Sequence, residues 1–156
     1  MDMWKCHTGQ KQLPVPDEDS LVFWEACRRQ RLVIQQCAAC QRYRFPPSPL
    51  CPACLSPRFA WREDPGRGEV ETFCIYHSEL AGPAWQPELP YVVAVIRLCH
   101  TGIQMLSQLR CDDPSAIVIG MAVQVRFEPA SEQVMLPKFV PLGVPQLPSG
   151  GDTDSR

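Results

Sequence analysis

Four cysteines constrain this chain more than any other feature. They stand as Cys37-Ala-Ala-Cys40 and Cys51-Pro-Ala-Cys54, two CxxC pairs with ten residues between them. Two thiolate pairs, each on its own tight turn, are the arrangement with which a zinc ribbon surrounds one Zn2+. Four sulfurs complete a tetrahedron and leave no position for water, so the expected metal is structural rather than catalytic. Binding of this kind contributes ~10–16 kcal/mol in small zinc peptides, enough to order a stretch without a core of its own. Iron in a rubredoxin-like site is the competing occupant. The remaining cysteines, Cys6, Cys27, Cys74, Cys99 and Cys111, are scattered and odd in number, unlike a secreted disulfide framework. Met1 to Lys11 is mostly polar and carries no apolar export region. The expectation is a reducing, cytoplasmic setting.

Proline narrows the fold class. There are 17 among 156 residues, about twice the usual ~5%, which excludes a helical bundle. The longest apolar run, Tyr91 to Ile96, is far short of the ~20 residues that cross a bilayer, so no membrane span is expected. Between Pro16 and Pro46 lies a proline-free stretch, opened by acids and closed by Arg28, Arg29 and Arg31. This polarity suits a helix dipole, and Leu21, Trp24 and Cys27 supply an apolar stripe, predicting one amphipathic helix over 17–30 with Asp17 or Asp19 as its cap. Leu32 to Gln36 reads as a short strand entering the first knuckle.

After Gly66-Arg-Gly68 the texture turns to strands. Glu69–Tyr76, Tyr91–Leu98, Ile103–Leu109, Ala122–Phe127 and Val134–Val140 have strand composition, with a hairpin turn at His100-Thr-Gly102 and a loop over Gly82–Pro90. Five short strands in this order fit a small closed barrel such as an OB-fold; a sandwich fits the periodicity nearly as well. A barrel this small is marginal alone, so docking of helix and ribbon is expected to add stability. The reading is therefore a mainly β chain: an N-terminal segment and helix over 1–31, a zinc ribbon over 32–63, a five-stranded OB-fold over 64–141, and a polar, disordered tail over 142–156.

Charge divides the same halves. No acid lies between Glu25 and Glu63, whereas Arg28, Arg29, Arg31, Arg42, Arg44, Arg58 and Arg62 fall there. Residues 63–156 hold twelve acids against six bases. An acidic barrel argues against nucleic acid, whose backbone is bound by Lys and Arg. The arginine cluster suits a phosphorylated small molecule or an acidic partner surface, its plainer reading being a solvated face. His7, His77 and His100 have no clear partner in sequence, and Cys74 and Cys99 are expected to pack as small apolar residues. With no GxSxG, phosphate loop or GxGxxG, no complete active site assembles.

Taken in order, Phe23-Trp24-Glu25-Ala26-Cys27, the two knuckles, Arg44-Phe45-Pro46-Pro47, Gly66-Arg-Gly68-Glu-Val70, Pro90-Tyr-Val-Val93, Gly120-Met-Ala-Val123 and Leu136-Pro137 resemble one family over residues 12–141. It is the family of small acyl-CoA-associated proteins with a rubredoxin-like zinc ribbon followed by an OB-fold. The resemblance implies a non-catalytic subunit paired with a thiolase-like enzyme, an acyltransferase or an aldolase that cleaves steroid side chains as CoA thioesters. The ribbon would help build the partner's interface and acyl-CoA entrance, with the nucleophile or base in the partner. With no hydratase-like extension here, the partner is expected to bring all the chemistry. Arg28, Arg29, Arg42 and Arg44 are then the candidates to meet the 3′-phospho-ADP end of CoA or an acidic partner face. Two departures stand out: Gln41 and Leu55 occupy the places after each CxxC where glycine commonly permits a left-handed turn. Two other functions compete, an OB-fold binder of single-stranded nucleic acid and an acyl-CoA carrier acting alone through an apolar barrel channel.

Overall fold

The computed structural model describes residues 11, 13–78 and 83–143. Cys6, His7 and residues 144–156 of the expected tail lie outside them, as do residues 79–82, the last of which opens the expected loop. Within the described residues the order is one helix, α1 (Leu21–Arg28), then eight strands: β1 (Leu32–Cys37), β2 (Tyr43–Arg44), β3 (Phe59–Asp64), β4 (Arg67–Tyr76), β5 (Tyr91–Leu98), β6 (Gln104–Leu109), β7 (Ala122–Pro129) and β8 (Met135–Pro141). Leu142 and Gly143, expected to open a disordered tail, form a turn.

The helix is shorter than its sequence pattern, for identifiable reasons at both ends. Residues 17–20 form a separate turn in which the Asp17 carboxylate accepts the Ser20 N–H at 2.9 Å and the Ser20 hydroxyl. At the far end Gln30 takes a left-handed conformation, φ 56°. The Gln30 N–H donates to Cys27 O and the Arg31 N–H to Ala26 O, both at 2.9 Å, the bonding that closes a helix behind a left-handed residue. The stripe predicted on its face is only partly the buried one. Cys27 is buried and Trp24 packs partly buried against the core, but Leu21 is exposed and Phe23 is buried instead. Helix α1 packs on β1 and β8.

Strands β2, β1 and β3 form a three-stranded antiparallel sheet in that spatial order, with Leu32 opposite Asp64 and Cys37 opposite Phe59. The other five close into a barrel of order β4-β5-β6-β8-β7. Closure decides between the barrel and the sandwich. It comes from the antiparallel pairing of β4 with β7 and from a parallel pairing of β6 with β8, Leu109 with Phe139, where the Arg110 N–H donates to Phe139 O at 2.7 Å. A closed sheet leaves no barrel edge to protect. Gly68 lets β4 and β5 approach: a Cβ there would stand 2.6 Å from Ile96 Cγ2 and 2.7 Å from Arg97 O. The expected loop before β5 contains a 3-10 turn over Pro83–Glu88.

One difference in β4 follows from a bulge. Its register on β5 shifts between Val70 and Thr72, and one extra residue exchanges the inward and outward faces of everything after it. Val70 is buried, but beyond the bulge Phe73 and Ile75 pack against the core and Cys74 is exposed. Cys99, just past β5, is exposed as well. Neither thiol packs as a small apolar residue.

A single hydrophobic core runs through all the parts. Phe23 and Cys27 of the helix and Leu32 and Ile34 of β1 join Val70, Val92, Ile96, Leu98, Val123 and Phe139 of the barrel. Truncating a buried Phe of this kind typically costs ~3–5 kcal/mol, so the docked helix and ribbon add substantially to a barrel that is small by itself. Asp64 pins the joint. It is 3% exposed, and its carboxylate accepts the Gly66 N–H at 2.7 Å and the Thr101 hydroxyl at 2.9 Å, tying the end of β3 to the β5–β6 turn.

Candidate metal centre

The first knuckle is the end of β1 and the turn after it; the second is a turn in the proline-rich connection to β3. They bring Cys37, Cys40, Cys51 and Cys54 together with all four sulfurs within 4.8 Å of one another. Cys37 Sγ lies 3.6 Å from Cys54 Sγ, and Cys40 Sγ 3.6 Å from Cys51 Sγ. Sulfurs ~2.3 Å from a central zinc would sit about 3.8 Å apart in a tetrahedron, whereas a disulfide needs about 2.0 Å. The donor set and its spacing fit a zinc ion. None of the eight described cysteines is in a disulfide.

Each knuckle aims its backbone at the sulfurs. Ala39 and Cys40 direct their N–H groups at Cys37 Sγ, at 3.4 and 3.5 Å. The Cys40 amide, chief among these donors, holds the Cys37 thiol down to about 6. The Ala53 amide likewise lowers Cys51. Cys54 receives the Ser56 amide, which lowers it, yet the sulfurs of Cys40, Cys37 and Cys51 push it up to about 12. Four thiolates so close repel one another, and a divalent cation among them removes the conflict.

Gln41 and Leu55 adopt the left-handed conformation of the glycines they replace, φ 63° and 59°. The turns close normally, with Gln41 N–H donating to Cys37 O at 3.0 Å and Leu55 N–H to Cys51 O at 2.8 Å. A non-glycine residue there costs roughly 1–2 kcal/mol. Gln41 offsets part of this with a bond from Nε2 to Ala38 O at 3.0 Å; the Leu55 side chain projects into solvent, 71% exposed. The departure from glycine thus changes the energy of the knuckles and not their form.

The arginines separate into two kinds. Arg28, Arg29 and Arg42 are exposed, the first two at the end of α1 and the third beside the first knuckle. Arg44 is a different case: it is 5% exposed. Its Nε donates to Gln35 Oε1 at 2.6 Å and one terminal nitrogen donates to Ser48 O at 2.6 Å. The guanidinium also lies 4.7 Å from the Phe59 ring centroid. Ser48 N–H donates to the same Gln35 oxygen at 3.0 Å. Arg44 therefore braces the connection between the knuckles and is not a surface group. No sequence signal marked it: only its pairing opposite buried Gln35 on β1 places it on that face.

The remaining candidates stay apart from this centre. His77 and His100 are exposed, with His100 6.5 Å from the Tyr43 ring. Cys27 is buried, and burial pushes its thiol up to about 12, which suits a core residue and not a nucleophile. What sequence reasoning missed is a cleft of about 560 Å3 at one end of the barrel, bordered by Arg110 and Arg126. Nothing in the local sequence marks it, because β5, β6, β7 and β8 meet there only on closure.

Comparison with known proteins covers both regions. Two family models match in tandem, the rubredoxin-like zinc ribbon domain of ChsH2 over residues 24–60 and the C-terminal OB-fold domain of ChsH2 over residues 61–128. A probable enoyl-CoA hydratase alpha subunit of Thermomonospora curvata is 39% identical over 135 residues, 85% of this chain and 40% of that protein. A 3-oxo-4,17-pregnadiene-20-carboxyl-CoA hydratase alpha subunit of Mycobacterium tuberculosis is 30% identical over 115 residues, 73% of this chain and 35% of that protein. The chain thus spans well under half the length of these two curated relatives. A chain in the solved structure of the Ltp2-ChsH2(DUF35) aldolase aligns with a TM-score of 0.75 and 37% identity, covering 83% of this chain and 98% of that one. Among the described residues no helix is long and apolar enough to cross a membrane.

Proposed function

This chain belongs to the ChsH2 (DUF35) family, a zinc ribbon followed by an OB-fold, and on that premise we propose that it is a non-catalytic accessory subunit of a thiolase-like acyltransferase or aldolase. The substrates of the assembly are acyl-CoA thioesters of lipid or steroid type, and the chain works in the cytoplasm, where its thiols stay reduced. The observation that carries the reading is the closed shell of Cys37, Cys40, Cys51 and Cys54. These four residues would hold Zn2+, which when bound supplies structural order to the ribbon, since four protein sulfurs leave it no open position for a substrate or water. The chain's contribution to catalysis is then its surface.

The exposed arginines beside that centre, Arg28, Arg29 and Arg42, are the groups that would meet the 3′-phospho-ADP end of CoA or an acidic face of the partner. Arg44, being buried, positions the loop between the knuckles. Names of relatives support the substrate class: two are CoA-thioester hydratase alpha subunits and one is part of an aldolase.

Purification of the tagged protein from its own source at moderate salt tests the proposal. A stoichiometric thiolase-like chain in the mass spectrum supports it. A lone protein carrying nucleic acid, seen in the absorbance ratio, overturns it in favour of an OB-fold nucleic-acid binder. In the complex, Arg28→Glu, Arg29→Glu and Arg42→Glu together should weaken acyl-CoA affinity or assembly at least about tenfold. No change in either quantity would remove these arginines from the reading.

A further inference from the structure

The half of the chain that is acidic in sequence gathers its few cations in one place. Of the six bases in residues 63–156, Arg110, Arg126 and Lys138 converge on Glu128, at 3.4, 2.6 and 2.9 Å. Arg110 also reaches Glu88 at 3.3 Å, and Lys11 pairs with Glu88 from the N-terminal side. Among the described residues the cluster thus sets four cations on two carboxylates. Partial burial first, and then the charges of Lys138 and Arg110, hold the Lys11 amine below its ordinary range.

This cluster forms one side of the barrel-end cleft of about 560 Å3, within the ~300–1,000 Å3 of small-molecule sites. Arg110, Arg126 and Glu88 border it directly; Leu89, Tyr91, Ile117, Met121 and Val140 give it apolar walls. Arg126 spends one bond on Glu128 and is 42% exposed, so guanidinium donors remain for a ligand. Asp112 and Asp113 border the cleft too. Asp113 is engaged by the Ser115 N–H and hydroxyl, at 2.9 and 2.6 Å. These two carboxylates repel an anion from their side, whereas on the arginine side Glu88 is already paired with Arg110 and Lys11, which makes that side the more favourable seat.

We infer that this cleft binds a small amphipathic organic anion, with its apolar body against Tyr91, Ile117 and Met121 and its anionic oxygens on Arg110 and Arg126. Carboxylate and phosphate heads share the chemistry that two arginines recognise. The site needs no partner chain, so it goes beyond the accessory reading, and its failure leaves that reading standing.

Calorimetric titration of the full-length protein with dodecanoate, dodecyl phosphate and dodecanol, each below its micelle concentration, provides the test. At least one anion should bind one to one and at least about tenfold tighter than the alcohol, and the better anion identifies the head group. Arg126→Gln, which leaves Glu128 its bonds from Lys138 and Arg110, should weaken the anion about tenfold and leave the alcohol unchanged. Ala116→Trp, which puts bulk into the cleft and alters no charged residue, should abolish binding of all three while the thermal midpoint confirms the fold. Equal affinity for alcohol and anions, no binding of any probe, or binding that survives Ala116→Trp in the folded protein would each overturn the inference.

Discussion

The ribbon and the barrel share one chain and one core but are stabilised by different means. The barrel closes on itself and fills its interior with Val70, Val92, Ile96, Leu98, Val123 and Phe139, so its strands are held by apolar burial and a complete ladder. In the ribbon the sheet has only three strands, one of them two residues long. Its far end rests on four sulfurs, on a buried arginine–glutamine pair, and on left-handed turns at Gln41 and Leu55. A region too small to bury enough apolar surface relies on polar braces, and the four sulfurs would add metal–ligand bonds to them.

The largest expected effect follows from removing those ligand bonds. Chelation, or Cys51→Ala, should unfasten both knuckles, with the ~10–16 kcal/mol of small zinc peptides as the scale of the loss. Amide hydrogen exchange should show protection falling in β1–β3 and persisting in β5 and β6. Simultaneous loss in both regions would mean that the barrel depends on the metal as well. Within the barrel, Gly68→Ala drives a methyl group into Ile96 and the Arg97 carbonyl and should cost about 2–3 kcal/mol, read as a lowered thermal midpoint with zinc still bound.

A smaller effect tests the polar brace. Arg44→Met strips the Ser48 carbonyl of its donor and Gln35 of its strongest one, for about 2 kcal/mol. Adding Gln35→Leu should cost less than the sum, because the bond between the two side chains is lost only once, even though the Ser48 N–H then loses its acceptor as well. Gln35 Nε2 and one Arg44 nitrogen already lack partners in the structure. Strict additivity would show that the two side chains do not act as a unit. The smallest change has the opposite sign. Leu55→Gly relieves left-handed strain of roughly 1–2 kcal/mol against a glycine entropy cost of ~0.5–1 kcal/mol. A net gain of about 0.5–1 kcal/mol in denaturant unfolding is expected, and a loss would mean that the exposed leucine makes a contact worth more than the strain.

The legible parts were those whose pattern is local. Two CxxC pairs fix a four-sulfur site wherever the rest of the chain goes, and runs such as Tyr91–Leu98 declare a buried strand by composition. Helix α1 was visible as an amphipathic segment with Cys27 on its buried face, but Leu21, read as part of that face, is exposed. Its length was not visible, because the bonds that end it turn on the conformation of Gln30. Cys74 was misplaced by a bulge one residue wide, which no composition signal marks. Arg44 shared every sequence property of Arg42, and only its pairing opposite buried Gln35 separates them.

By itself, then, the amino-acid sequence determined the four-cysteine cluster, the β character and the division into a basic ribbon and an acidic barrel, since these depend on residue type and spacing over short stretches. Tertiary structure decided which arginines face solvent. It also decided that an acidic half-chain carries a cationic cluster at Glu88 and Glu128, and that the five strands close into a barrel. Each of these depends on contacts between residues distant in sequence, such as Leu109 with Phe139 and Arg110 with Glu128, and charge or burial at such a point is set by neighbours that only folding supplies.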